Sequence, residues 1–142
     1  MLARRELSEA QLRERLGESF DLDQVDAVLT RLKQDGAVDD RRVAAAYART
    51  AIVVKRRGRL RVERELEAMG IDRGLARQAV EAALQDVDER AVLAREVERR
   101  LKGHPLDPRA RARLYAQLLR RGFPPELVMA ALGRQRPLPD ED

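Results

Sequence analysis

Apolar side chains recur every three or four positions along most of this chain, the spacing that gathers them on one face of an α-helix. Val25, Val28, Leu29 and Leu32 form one such stripe. Val43, Tyr47 and Ile52 form a second, and Val62, Leu66 and Met69 a third. Leu75, Ala76, Ala79, Val80, Ala83 and Leu84 make a seam of mostly small residues, along which two helices can approach closely. Leu93, Val97 and Leu101 follow, then Leu114 and Leu118, then Leu127, Val128, Ala131 and Leu132. No stretch sustains the alternation of β-branched residues that a strand needs, so the chain reads as all helix.

Local chemistry sets the ends of these helices. Ser8 with Gln11 three residues on is a capping-box pattern and opens a helix to Leu16, with Gly17 as its stop. A second helix spans Asp23 to about Asp35 and ends at Gly36. A third starts at Asp39 or Asp40, whose carboxylates can satisfy free amides, and is expected to reach about Lys55. Gly58 precedes a shorter helix that Gly70 closes, since glycine tolerates a left-handed C-terminal cap. Asp72 and Asp88 cap the next two, the second ending before Gly103. Asp107 with Pro108 begins another, because proline at the first helical position loses no hydrogen bond. Gly122 stops it, Pro124 and Pro125 begin the last, and the tail from Arg134 to Asp142 is expected to be loose.

Two segments align without gaps. Leu66, Gly70, Ile71, Leu75 and Val80 match Leu118, Gly122, Phe123, Leu127 and Leu132. A fainter copy has Leu16, Phe20, Val25 and Leu29, with Ser19 in place of the glycine. In each copy a helix ends at a small residue, one apolar side chain plugs the corner, and the next helix turns back. The period exceeds those of tetratricopeptide and HEAT-type units and suits three helices per unit. The expected fold is an all-α, elongated array of three tandem three-helix repeats. Its units are placed at 1–57, 58–103 and 104–136, followed by an acidic flexible tail at 137–142.

Composition narrows the function classes. Of 142 residues, 44% are hydrophobic but only 3% aromatic, so Leu, Val and Ala must fill the interior, and base stacking on exposed rings is disfavoured. Charged residues make up 38%, yet the net charge is only +4 because acids and bases are interspersed. This is a salted helical surface whose modest positive excess suits a polyanionic partner. There is no cysteine, hence no disulfide, thiol nucleophile or cysteine-ligated zinc. His104, the single histidine, stands beside Pro105 without partners for a metal site or triad. No glycine-rich phosphate loop is present, so neither ATP hydrolysis nor a cofactor is expected. With no apolar run long enough for a membrane span and no secretory signal, the expected location is cytoplasmic.

Four segments in order carry a resemblance: Ser8 to Leu16, Gly36 to Ala45, Gly58 to Ile71, and Leu118 to Phe123. Their order and spacing resemble the RecX family over nearly the whole chain. The most telling pattern is Val38, Asp39 and Asp40 opening a helix with Tyr47, then a basic stretch, then Glu65, Leu66 and Gly70. The resemblance implies a curved stack of three-helix units, acting as a monomer, that lodges in the groove of a RecA filament on single-stranded DNA. There it would damp ATP hydrolysis, strand exchange and filament extension, and so modulate recombinational repair and the SOS response. Two departures stand out. Family members usually have more chain before Arg4, so the first repeat is expected to be truncated, and Val43 stands where the family commonly has an aromatic.

The candidate contact residues are basic. Lys55, Arg56, Arg57, Arg59, Arg61 and Arg64 crowd ten positions with Glu63 as the one acid, and Arg120 and Arg121 add to them. Arginine forks pair bidentately with phosphate or carboxylate, so this set could meet DNA or an acidic protein surface. The alternative is a solvated face, with cations favourably near a helix C-terminus. Arg109, Arg111 and Arg113 are as well explained by a split solvent face. Asp39 and Asp40 read as caps rather than ligands, because adjacent helical residues diverge by about 100°. The structural motif comprises Asp39, Asp40, Tyr47, Leu66, Gly70, Leu118, Gly122 and Phe123. A different reading is a small helical module that binds DNA directly, with Arg77 and Gln78 as its thin recognition face.

Overall fold

The computed structural model describes residues 6–134, and eight α-helices account for most of them. They are α1 (Glu9–Gly17), α2 (Leu22–Gln34), α3 (Asp40–Arg49), α4 (Arg59–Ala68), α5 (Arg73–Leu84), α6 (Glu89–Leu101), α7 (Pro108–Arg120) and α8 (Pro125–Arg134). No strand occurs among the described residues. Of the tail expected from Arg134, that residue ends α8, and the acidic segment 137–142 lies outside the described residues.

The caps form as local chemistry dictates. Ser8 and Gln11 make a reciprocal capping box at α1, and Asp39, Asp72, Asp88 and Asp107 accept backbone amides at α3, α5, α6 and α7. Each such cap is worth about 1 kcal/mol. Asp21 caps α2, so that helix starts one position earlier than the sequence suggests. Gly36, Gly70 and Gly122 adopt the left-handed backbone at helix ends, with φ of 74°, 85° and 99°.

The end of the third helix departs from expectation. α3 continues through a π-helical segment, Thr50–Val54, in which the Lys55 amide donates to the Thr50 carbonyl at 3.0 Å. Arg56 then takes a left-handed backbone, φ 53°, and turns the chain towards α4.

Two cores follow the repeat. One joins α3, the π segment, α4 and α5 around Val43, Ile52, Val62, Leu66, Ile71 and Val80. Ala44, Ala48 and Ala51 on one side and Ala76 and Ala79 on the other let α3 and α5 pack closely. The second joins α6, α7 and α8 around Leu93, Val97, Leu114, Leu118, Phe123, Val128 and Leu132. Ile71 and Phe123 plug equivalent corners, each burial contributing about 2 kcal/mol. These cores draw residues from both sides of positions 57/58 and 103/104. The cores thus group α3–α5 and α6–α8, preceded by α1 and α2.

The first copy is less complete. Val25 and Leu29 are buried, but Phe20 is 48% exposed and Val28 39%. Ser19 lacks the left-handed turn of Gly70 and Gly122, so the α1–α2 corner closes differently and Phe20 does not plug it. Each unit bonds to the next through a few hydrogen bonds, in an elongated helical array.

Candidate interaction surface

The same joint links successive units. The start of α1 sits on the corner between α4 and α5: the Ser8 hydroxyl donates to the Met69 carbonyl, and Ala10 lies so close to Gly70 that a Cβ there would fall 2.2 Å from the Ala10 methyl carbon. The start of α4 sits likewise on the corner between α7 and α8. The Gly58 amide donates to the Arg121 carbonyl at 2.8 Å, and the Leu60 amide to the Gly122 carbonyl at 2.9 Å. A Cβ on Gly122 would meet the Arg61 Cβ at 2.3 Å, so these corners are glycine for contact as well as for turn.

The basic stretch expected to face a partner is built largely into this joint. Arg57 Nη1 lies 2.8 Å and 3.1 Å from the two Glu65 carboxylate oxygens, and 3.4 Å from the Tyr47 hydroxyl. Burial, then the Glu65 charge, raises the Tyr47 phenol above its usual pKa, against the opposing effect of Arg57. Arg61 shares Glu65 at 3.5 Å. Arg59 reaches Glu89 at 3.4 Å, and burial nevertheless raises the Glu89 carboxyl from its ordinary pKa. Arg56 reaches the buried Glu96, which Arg99 and Arg100 also surround at 3.5 and 3.6 Å. Three cations surround one carboxylate that is itself only 4% exposed, while Arg56 and Arg99 keep about half their side chains in solvent.

Arg121 is a strut. Its Nη2 donates to the Lys55 and Arg56 carbonyls at 2.8 and 3.2 Å, tying the end of the π segment to the α7–α8 corner. Lys55, Arg64 and Arg120 are exposed and form no ion pair with another described residue. Of the eight basic candidates, these three therefore present unbalanced charge outward.

The two adjacent aspartates have separate duties. Asp39 caps its own helix, whereas Asp40 Oδ1 accepts the Glu9 amide at 2.8 Å and so caps α1. Arg42 locks the same region, reaching Glu6 at 3.0 Å and the Gly36 carbonyl at 3.0 Å. Asp40 was legible as a cap of its own helix but not of α1, and Glu96 as a neighbour of Arg99 and Arg100 but not of Arg56, because Glu9 and Arg56 stand far along the chain. Among the described residues no group of three or more His, Cys, Asp or Glu side chains could hold a metal, and no helix is long and apolar enough to cross a membrane.

Comparison with known proteins follows the same units. The family description "RecX, second three-helix domain" matches residues 39–80, which contain α3, the π segment and α4 with most of α5, and "RecX, third three-helix domain" matches residues 88–132. Regulatory protein RecX of Syntrophotalea carbinolica is 31% identical over 96% of this chain and 92% of its own length. Regulatory protein RecX of Geobacillus kaustophilus is 38% identical over 76% of this chain, which spans only 40% of that longer relative. The crystal structure of RecX from Lactobacillus salivarius superposes with a TM-score of 0.79 at 17% identity, covering 91% of this chain and 85% of that one, and so shares the fold. Two matched three-helix units in order, and a relative alike along almost its full length, place the chain in the RecX family.

Proposed function

We propose that this chain is a non-enzymatic regulator that binds the groove of a RecA filament on single-stranded DNA and restrains it, lowering ATP hydrolysis, strand exchange and filament extension. Through that action it would modulate recombinational repair and the SOS response in the cytoplasm. The observation that carries the reading is membership of the RecX family across both complete three-helix units and most of a full-length relative. The elongated array suits it physically, since long flanks spread affinity over many contacts instead of holding it in one pocket. Lys55, Arg64 and Arg120 are the proposed outward contacts, with Arg56, Arg57, Arg59, Arg61 and Arg121 shaping the surface from within.

The test is the DNA-dependent ATPase rate of the cognate RecA, titrated with the full chain. Strong inhibition at or below one copy per protomer is the expected result. Inhibition far below that ratio would point to capping of filament ends. An unchanged rate, together with tight DNA binding by this chain alone, would overturn the reading in favour of a direct DNA-binding module.

A further inference from the structure

We infer that the shallow cavity where α4 meets the end of α7 seats a backbone phosphate of a nucleic-acid strand, an assignment that does not rest on the recombinase reading. The cavity, about 220 Å³, is lined by Arg61, Arg100, Gln117, Arg120 and Arg121. No carboxylate lines it, so it suits an anion. No aromatic lines it either, so it offers a base nothing to stack on and would hold the phosphate while the base stays outside.

Positive charge at the seat exceeds what its neighbours balance. Arg61 lies 3.5 Å from Glu65 and Arg100 3.6 Å from Glu96, but Glu65 is shared with Arg57, and Glu96 with Arg56 and Arg99. Arg120 and Arg121 have no carboxylate within 4.0 Å among the described residues. The buried Nε of Arg121 has no hydrogen-bond partner, whereas that of Arg100 faces Glu96 at 3.6 Å. Gln117 accepts from Arg100 Nη1 at 3.1 Å, leaving its amide NH₂ as a further donor. Arg121 is held by the Lys55 and Arg56 carbonyls, so its fork is positioned before any ligand arrives.

Burial, reinforced by the guanidiniums of Arg100, Arg61 and Arg57 against the opposing Glu96, lowers the pKa of Arg121 below that of an ordinary arginine. The group stays charged, and an anion at the centre would relieve the crowding. Helix C-termini account for Arg120 and Arg100, in the last turns of α7 and α6, but not for Arg61 at the start of α4 or for their meeting at one cavity. Lys55, exposed beside the joint, extends the positive surface and favours a strand with successive phosphates over an isolated ion.

The experiment is fluorescence anisotropy of a labelled oligodeoxythymidylate with the full chain over a salt series, with no recombinase present. Arg120→Gln, at an exposed and unpaired site, should weaken binding about tenfold and reduce the slope of log K against log salt by about one. Arg15→Gln on α1, the same change of charge on another unit, should stay within about twofold of the parent. No binding by the parent at low salt, or equal losses in the two variants, overturns the proposal. In parallel, the arginine Nε–Hε resonances of Arg100 and Arg121 should shift on adding the oligonucleotide. A shift with inorganic phosphate at lower phosphate concentration, at matched ionic strength, would overturn the strand as occupant.

Discussion

At the residue scale, glycine here spaces backbones as well as turning them. A Cβ on Gly58 would lie 2.2 Å from the Gly122 carbonyl carbon and the Phe123 nitrogen, atoms that cannot swing aside. Gly58→Ala should therefore cost about 2–4 kcal/mol, seen as a fall in melting temperature of roughly 8–15 °C. Gly17, in α1, has nothing within 4 Å of its added Cβ, and Gly17→Ala should instead stabilise by about 0.5–1 kcal/mol through helix propensity. Differential scanning calorimetry of the two variants separates them, and a stable Gly58→Ala protein would refute the close-approach account. The left-handed role of Gly70 was legible because it follows its own apolar stripe. The close-approach role of Gly58, whose backbone is extended, was not legible, since its contact partner belongs to a distant turn.

At the element scale, helices were readable wherever their signals were local, and less so where they depended on neighbours. Capping residues within four positions of the amides they satisfy were found at α1, α3, α5, α6 and α7, and Asp21 at α2 was missed because Asp23 offered a carboxylate two positions later. The π-helical end of α3 was not, because Thr50–Val54 carries ordinary apolar residues and its wider winding follows from the turn at Arg56 and the packing of Ala51 and Ile52. Nor was the internal pairing of the basic stretch legible: Glu89 and Glu96 come from α6, in the next unit. Asp40 gives the clearest test of a cap supplied across elements. Asp40→Ala removes the acceptor for the Glu9 amide while Asp39 continues to cap α3. The cost should be about 1 kcal/mol, and amide hydrogen exchange should accelerate in α1 and leave α7 unchanged. Equal acceleration in both helices would mean that Asp40 supports the whole array instead.

At the scale of the whole molecule, two cores are coupled through a joint of few atoms. Each core holds one tyrosine, Tyr47 in the first and Tyr115 in the second, and the chain has no tryptophan, so each can report its own unit. Replacing one tyrosine by phenylalanine isolates the signal of the other. In the parent the two urea midpoints should coincide. Arg121→Gln leaves the Lys55 and Arg56 carbonyls without their donor, at a cost of about 1–3 kcal/mol. The midpoints should then separate, and continued coincidence would show that the cores are coupled by other contacts.

The recurrence of this joint has a geometric consequence. Ala10 on Gly70 and Arg61 on Gly122 are one docking operation performed twice. Repeating a fixed rotation and translation generates a screw, so the array is a short arc of a helix with its own pitch. Because the second joint is held by main-chain hydrogen bonds at Gly58 and Leu60, the side chains around it can drift without altering that pitch so long as positions 58 and 122 stay glycine. A partner that is itself helical would then be recognised by commensurate winding, with surface charge free to tune strength independently of fit.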